Sequence, residues 1–182
     1  AIPMVFVSHQ FDEVLRLATH LVVLDEGRVV AAGSIGAVSL EPALRAIVGV
    51  DAVGAVVDGT VETVSPDQGL STVLIGADSR LFVSSVALVR GQKVRLQLLA
   101  RDLILAVEEP RGLSVRNQMR GQVLSVTQDG GACLIAVDIG GATLLARISA
   151  AATRELALAP GKPVWALVKA VSFSAHPHAV GK

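Results

Sequence analysis

Residues 114–123 read Ser-Val-Arg-Asn-Gln-Met-Arg-Gly-Gln-Val. A hydroxyl (Ser114), a guanidinium (Arg116) and an amide (Asn117) fall close together, directly before a glycine and a strand-like run. All three donate hydrogen bonds and one is a permanent cation, so the chemistry they suit is the holding of a small anion. In extended chain, residues two apart face the same side, which would let Ser114 and Arg116 act together. A second cation, Lys169, interrupts the apolar run Leu167-Val168-Lys169-Ala170-Val171, and its neighbour Ala170 offers a backbone N–H. A compact oxyanion needs several such converging donors. Taken singly, each cation has a plainer reading: a local salt bridge for Arg116, and for Lys169 a side chain whose stem lies along a strand.

The elements that must position these groups read as mainly β. From about Ala55, short β-branched runs alternate with turns such as Ser65-Pro66-Asp67, Asp129-Gly130-Gly131 and Gly140-Gly141. The pattern is duplicated. Gly59-Thr60-Val61-Glu62-Thr63-Val64 matches Gly121-Gln122-Val123-Leu124-Ser125-Val126, and Arg90-Gly91-Gln92-Lys93-Val94 matches Pro160-Gly161-Lys162-Pro163-Val164. Each copy predicts three strands, a short helical stretch (Ala150 to Leu158 in the second), a Gly turn and a long strand. Short strands interrupted by one small helix in this order suit an OB-type barrel, which has five strands. The expected units are residues 55–110 and 113–176, joined by the linker Glu108 to Gly112. Ahead of them, residues 1–50 predict a buried strand (Ile2 to Val7), an amphipathic helix (Asp12 to Ala18), a hairpin around Asp25-Glu26-Gly27 and a helix from Glu41 to Val48.

Composition narrows the function classes. Sixteen basic and sixteen acidic residues cancel, so nothing draws the whole surface to nucleic acid. Mean hydropathy is high at +0.60, yet no apolar run approaches the roughly 20 residues that span a bilayer. The excess is therefore assigned to buried sheet and to an oligomer interface. The N-terminal residues lack the basic flank and apolar core of a signal peptide. The single cysteine, Cys133, is read as a buried structural thiol, Trp165 as core, and His176-Pro177-His178 as a loose tail.

Two resemblances follow from these residues. The run from Ser114 to Gly121 is similar to the signature that opens the small molybdate-binding (Mop) domains, Ser-Ala-Arg-Asn-Gln-Leu before a Gly and the first strand. The order Val5-Phe6-Val7-Ser8-His9, Asp12-Glu13, Leu24-Asp25-Glu26-Gly27-Arg28-Val29, Gly33 resembles the end of an ABC-transporter ATPase domain. Together the chain resembles the C-terminal part, including a di-Mop/TOBE regulatory domain, of the ATP-binding subunit of a bacterial molybdate importer. The implied fold is a pair of tandem OB-like (Mop/TOBE) barrels after a short α/β remnant of the ATPase domain.

The resemblance implies an oxyanion set of Ser114, Arg116, Asn117, Ser149, Lys169 and Ala170, with Arg101 donating across a pseudo-symmetric interface. Ala170 stands where some relatives have a serine. It implies molybdate or tungstate as ligand, a homodimer, and a cytoplasmic location on the inner face of the membrane through permease subunits. His9 would be the switch histidine, with ATP and magnesium held only in the full-length parent. No phosphate-cradling loop, magnesium-holding acid or signature loop is read in the sequence, so turnover by this chain alone is not expected. The rivals are a non-binding dimerisation spacer, as in ABC ATPases for sulfate or sugars, and a molybdate storage or sensor protein.

Overall fold

The computed structural model describes residues 4–49, 52–85 and 87–177. The N-terminal part begins with α1 (Phe11–Leu17), whose Val14 and Leu15 are buried with Phe11 and Ala18 packed beside them, the predicted helical spacing. Burial of each such side chain contributes about 1.5–3 kcal/mol. A hairpin follows, β1 (His20–Asp25) and β2 (Arg28–Ser34), turning at Glu26 and Gly27, both with positive φ. Then come α2 (Ile35–Ser39) and α3 (Pro42–Val48). Pro42 opens α3 as predicted, where a missing N–H costs nothing. The five-residue α2 was not predicted; Ser34 caps it by accepting from Ala37 N–H at 3.3 Å.

The strand predicted from Ile2 to Val7 is corrected. Ile2 and Pro3 lie outside the described residues, and Met4 to Val7 form no strand and are exposed. Strand backbone needs a partner ladder, and none runs beside this segment among the described residues.

The first repeat contains β3 (Gly54–Ser65), β4 (Leu70–Ile75), β5 (Ser79–Val83), β6 (Lys93–Leu99), a 3-10 turn (Ala100–Asp102) and β7 (Ile104–Ala106). The second contains β8 (Asn117–Asp129), β9 (Ala132–Asp138), β10 (Thr143–Ser149), α4 (Ala150–Glu155), β11 (Pro163–Val168), a 3-10 turn (Ala170–Ser172) and β12 (Ser174–Pro177). The predicted helical stretch before the Gly turn forms only in the second repeat, as α4; the described residues between β5 and β6 are bends and a turn.

The duplication is visible in backbone detail. β3 and β8 are long, each bends at a bulge, and the bulges at Glu62 and Leu124 fall at equivalent positions. Gly59 and Gly121 sit where both long strands are flanked by ladders. A β-carbon on Gly59 would stand 2.8 Å from the Leu74 carbonyl oxygen, and one on Gly121 2.6 Å from that of Asp138.

The spatial partition departs from the linear one. The two antiparallel sheets run β12-β6-β3-β4-β5 and β10-β9-β8-β11-β7. Each repeat thus gives its last short strand to the other: β7 pairs with β11, and β12 pairs with β6. The sheets curl over one continuous core that mixes Val57, Val73, Leu81 and Leu96 of the first repeat with Val123, Ile135, Leu144 and Val164 of the second. Their turns also touch. A β-carbon on Gly76 would lie 2.8 Å from the Gly141 Cα, and the Ser79 hydroxyl donates to the Gly140 carbonyl at 2.5 Å.

The loose tail expected at His176 is corrected as well. Its backbone is taken up in β12, opposite Arg95 of β6, because the edge of β6 offers unpaired peptide groups. His178 lies outside the described residues. Trp165 is not core: Val164 and Ala166 point inward while Trp165 is half-buried, with the Arg120 guanidinium 5.3 Å from its ring centroid.

Candidate oxyanion site

Alternation at the start of β8 decides which groups reach solvent. Val115 and Asn117 are buried, whereas Ser114 and Arg116 are exposed. The ladder of β8 with β11 ends at the pair Asn117 and Val168. One residue beyond that pair on each strand are Arg116 and Lys169, so the two cations flank the same end of the ladder. Lys169 is exposed and lies past the last strand residue, not within the strand. Among the described residues, neither cation makes a salt bridge or a side-chain hydrogen bond, which removes the plainer reading of Arg116.

Asn117 is 2 % exposed and its amide is committed elsewhere. Its Oδ1 accepts from the Phe82 N–H at 2.7 Å and its Nδ2 donates to the Phe82 carbonyl at 2.9 Å. The side chain therefore imitates one rung of a β-ladder against β5, the edge strand of the first sheet. Ala170 adds a second tie: its carbonyl accepts from Ser84 N–H at 3.0 Å. These three bonds fix the cation-bearing end of the second repeat to the first.

Ser149 is at a different place. It pairs with Ala132, which pairs with Asp129 at the far end of β8 from Asn117. Its hydroxyl caps α4, accepting from Ala152 N–H at 3.2 Å. Within one chain the register separates Ser149 from Arg116 and Lys169 by the length of β8.

The equivalent end of the first repeat carries different chemistry. Pairing of Gly59 with Val94 matches that of Gly121 with Val164, so Gly54, Ala55 and Leu99 stand where the second repeat has Arg116, Asn117 and Lys169. Ala100 packs there with Val53, Leu134, Leu145 and Leu40, the last from the N-terminal part. Arg101 is exposed on the 3-10 turn, two residues beyond the position that matches Lys169.

His9 is exposed. Ser8 beside it donates to Glu13 Oε2 at 2.7 Å and accepts from Gln10 N–H at 3.0 Å, tying the segment to α1. His9 shares a groove of about 970 Å³ with Gln10, Phe11, Val48, Gln97, Leu99 and Ser174. Sequence reasoning had not joined these residues, because the groove brings together the N-terminal segment, the end of α3, β6 and Ser174 of β12, which are far apart in the chain. No helix among the described residues is long and apolar enough to cross a membrane.

Comparison with known proteins adds the family. The TOBE domain model matches residues 113–175. The molybdenum import ATP-binding protein ModC of Rhizobium etli is 38% identical over 173 residues, covering 94% of this chain and 48% of the relative. ModC of Pseudomonas aeruginosa is 38% identical over 177 residues, with 96% and 49% covered. That of Mesorhizobium japonicum is 40% identical over 177 residues, with 94% and 46% covered. The chain thus spans about half the length of the curated relatives it matches. A solved structure of the cytoplasmic molybdate-binding protein ModG, with molybdate bound, superposes with a TM-score of 0.59 at 21% identity, covering 66% of this chain and 94% of that one. That likeness establishes the shared fold. Residues 113–175 match the TOBE domain model, and the chain as a whole is homologous to the C-terminal part of the molybdenum import ATP-binding proteins.

Proposed function

We propose that this chain is the oxyanion-binding regulatory region of a molybdate-importing ABC transporter ATPase. The observation that carries the reading is the pair Arg116 and Lys169, exposed at one end of the β8–β11 ladder beside Ser114 and unpaired among the described residues. Like charges held side by side repel, so such a pair persists more readily where an anion neutralises it. A dianion such as molybdate or tungstate matches two cations. The relatives' names and the molybdate carried by the ModG structure point to the same ligand class.

Cations this exposed hold an anion weakly, because water and salt screen them. A tight site needs a further surface that excludes water. Leu113 and Val171, both exposed, adjoin Ser114 and Ala170 and supply an apolar rim for it. Ser149, remote within one chain, would reach the anion from a second copy. The reading is therefore a homodimer with oxyanion sites between chains. In the parent, the chain would sit on the cytoplasmic face through permease subunits, with ATP and magnesium held by the ATPase domain and His9 serving as its switch histidine. Filling the oxyanion site would report molybdate supply to the ATPase.

Titration calorimetry with molybdate, sulfate and phosphate tests this. Molybdate binding is expected, weakened about tenfold or more by Arg116→Ala and by Lys169→Ala, the loss of one charge-assisted bond each. No heat with any of the three anions would favour a dimerisation spacer that holds the fold without the ligand.

A further inference from the structure

Arg95 is the one charged residue buried to 4 % exposure among the described residues, and its strand belongs to the other sheet from β8 and β11, beside whose ends Arg116 and Lys169 stand. It lies on β6 of the first repeat, yet its partners lie elsewhere. Its Nη1 donates to the Leu15 carbonyl at 2.8 Å and to the Ala18 carbonyl at 2.7 Å, and its Nε donates to Asp58 Oδ1 at 3.0 Å. The last carbonyls of a helix have no intrahelical partner and carry partial negative charge, so a cation there both satisfies and attracts them. Arg95 thus closes the C-terminal end of α1 from across the domain. Asp58 balances the buried charge from a side chain that is more than half exposed.

The same stretch of β6 receives β12. His176 is the cross-strand partner of Arg95, and Ser174 that of Gln97. β12 begins five residues after Lys169, past a 3-10 turn and the buried Phe173, and α1 lies against it. Ser174 and His9 line one groove. The chain segment that carries an oxyanion cation is therefore the segment that meets the Arg95 clamp and the helix behind Ser8 and His9.

We propose that Arg95 is a positioning residue that couples occupancy of the Arg116–Lys169 site to the seating of α1, and through α1 to the Ser8–His9 segment. The proposal rests on the oxyanion reading above. Anion binding fixes Lys169 and the turn after it, which fixes β12 in the β6 ladder. That in turn holds the guanidinium on the Leu15 and Ala18 carbonyls.

Hydrogen–deuterium exchange of the 182-residue chain, with and without saturating sodium molybdate, tests it alongside calorimetry. In the native chain, molybdate is expected to slow exchange across residues 14–18 by about fivefold or more, a typical coupling between sites. In Arg95→Met, and in the milder Arg95→Lys and Asp58→Asn, molybdate affinity stays within about threefold of native, while the with-to-without ratio for α1 falls toward one. A purely structural Arg95 would change basal exchange and leave that ratio alone. If Arg95→Met fails to fold, the other two variants carry the comparison, since both retain polar groups at the clamp. Binding without any change at α1 in the native chain, or a native ratio in the variants, overturns the coupling and leaves the oxyanion reading standing. Absence of molybdate heat in the native chain overturns both.

Discussion

Asn117 shows how a residue read for one chemistry can be held by another. The sequence placed Ser114, Arg116 and Asn117 together as donors, and the types were legible. What the run of letters did not convey is the phase of the alternation. Val115 turns inward, and Asn117, two residues on, goes with it. Its amide then supplies both halves of a ladder rung to Phe82. Asn117→Ala is expected to lower stability by about 2–4 kcal/mol in urea titration, since it strands a peptide N–H and a carbonyl at the junction of the repeats. A loss under about 0.5 kcal/mol would mean water replaces the amide there.

The Glu62–Arg80 pair makes a pH-dependent case at the same scale. Two hydrogen bonds, at 2.7 and 2.9 Å, join them across the first sheet. The hydrogen-bonded Arg80 guanidinium holds the Glu62 carboxyl below its ordinary value. A carboxylate depressed in the folded state contributes its stability above the ordinary carboxylate range and loses it as pH falls through the folded value. The pair is solvent-exposed, so the contribution is small and salt reduces it further. Arg80→Ala is expected to move the Glu62 midpoint upward in an NMR titration. An unmoved midpoint would show that the pair does not form in solution.

Elements were legible in proportion to their length and to the locality of their partners. The hairpin at Asp25-Glu26-Gly27, α1, α3 from Pro42 and the long strands β3 and β8 all carry their own periodicity or turn signal. β7 and β12 have three and four residues and pair with strands of the opposite repeat. Periodicity reports which face of a segment is buried, not which strand lies beside it, so neither exchange was readable. The apolar run at residues 4–7 is the converse, a strand-like composition with no ladder to join among the described residues. Truncation after Phe173 removes β12 and bares the edge of β6. The expected outcome is a lower urea midpoint and concentration-dependent association by light scattering, as unpaired strand edges recruit other chains. An unchanged midpoint would make β12 dispensable to the first sheet.

At the scale of the whole molecule, the repeats share a fold and divide the chemistry. One ends in Arg116 and Lys169; the other, at matched positions, ends in Gly54 and Leu99 beneath the N-terminal part. Calorimetric stoichiometry is accordingly expected to reach no more than one anion per chain, and two per chain would place a site where Gly54, Ala55 and Leu99 replace Arg116, Asn117 and Lys169. The contact of Gly76 with Gly141 makes a complementary point about the junction. Gly76→Ala should cost about 1–3 kcal/mol in thermal or urea unfolding, because its β-carbon meets backbone rather than a side chain that can turn away.

The reciprocal loan of β7 and β12 has a consequence for how such a protein arises. A single repeat ends in a short strand that fits the other repeat's sheet and not its own. Alone, it would be an incomplete half that closes only on meeting a second copy, at a cost that depends on concentration. Joining two copies through the residues between β7 and β8 replaces that encounter with an intramolecular one at millimolar effective concentration. Once fused, the halves no longer need to be identical. One end could keep its cations while the other became a seat for the N-terminal helices, which is the asymmetry this chain displays.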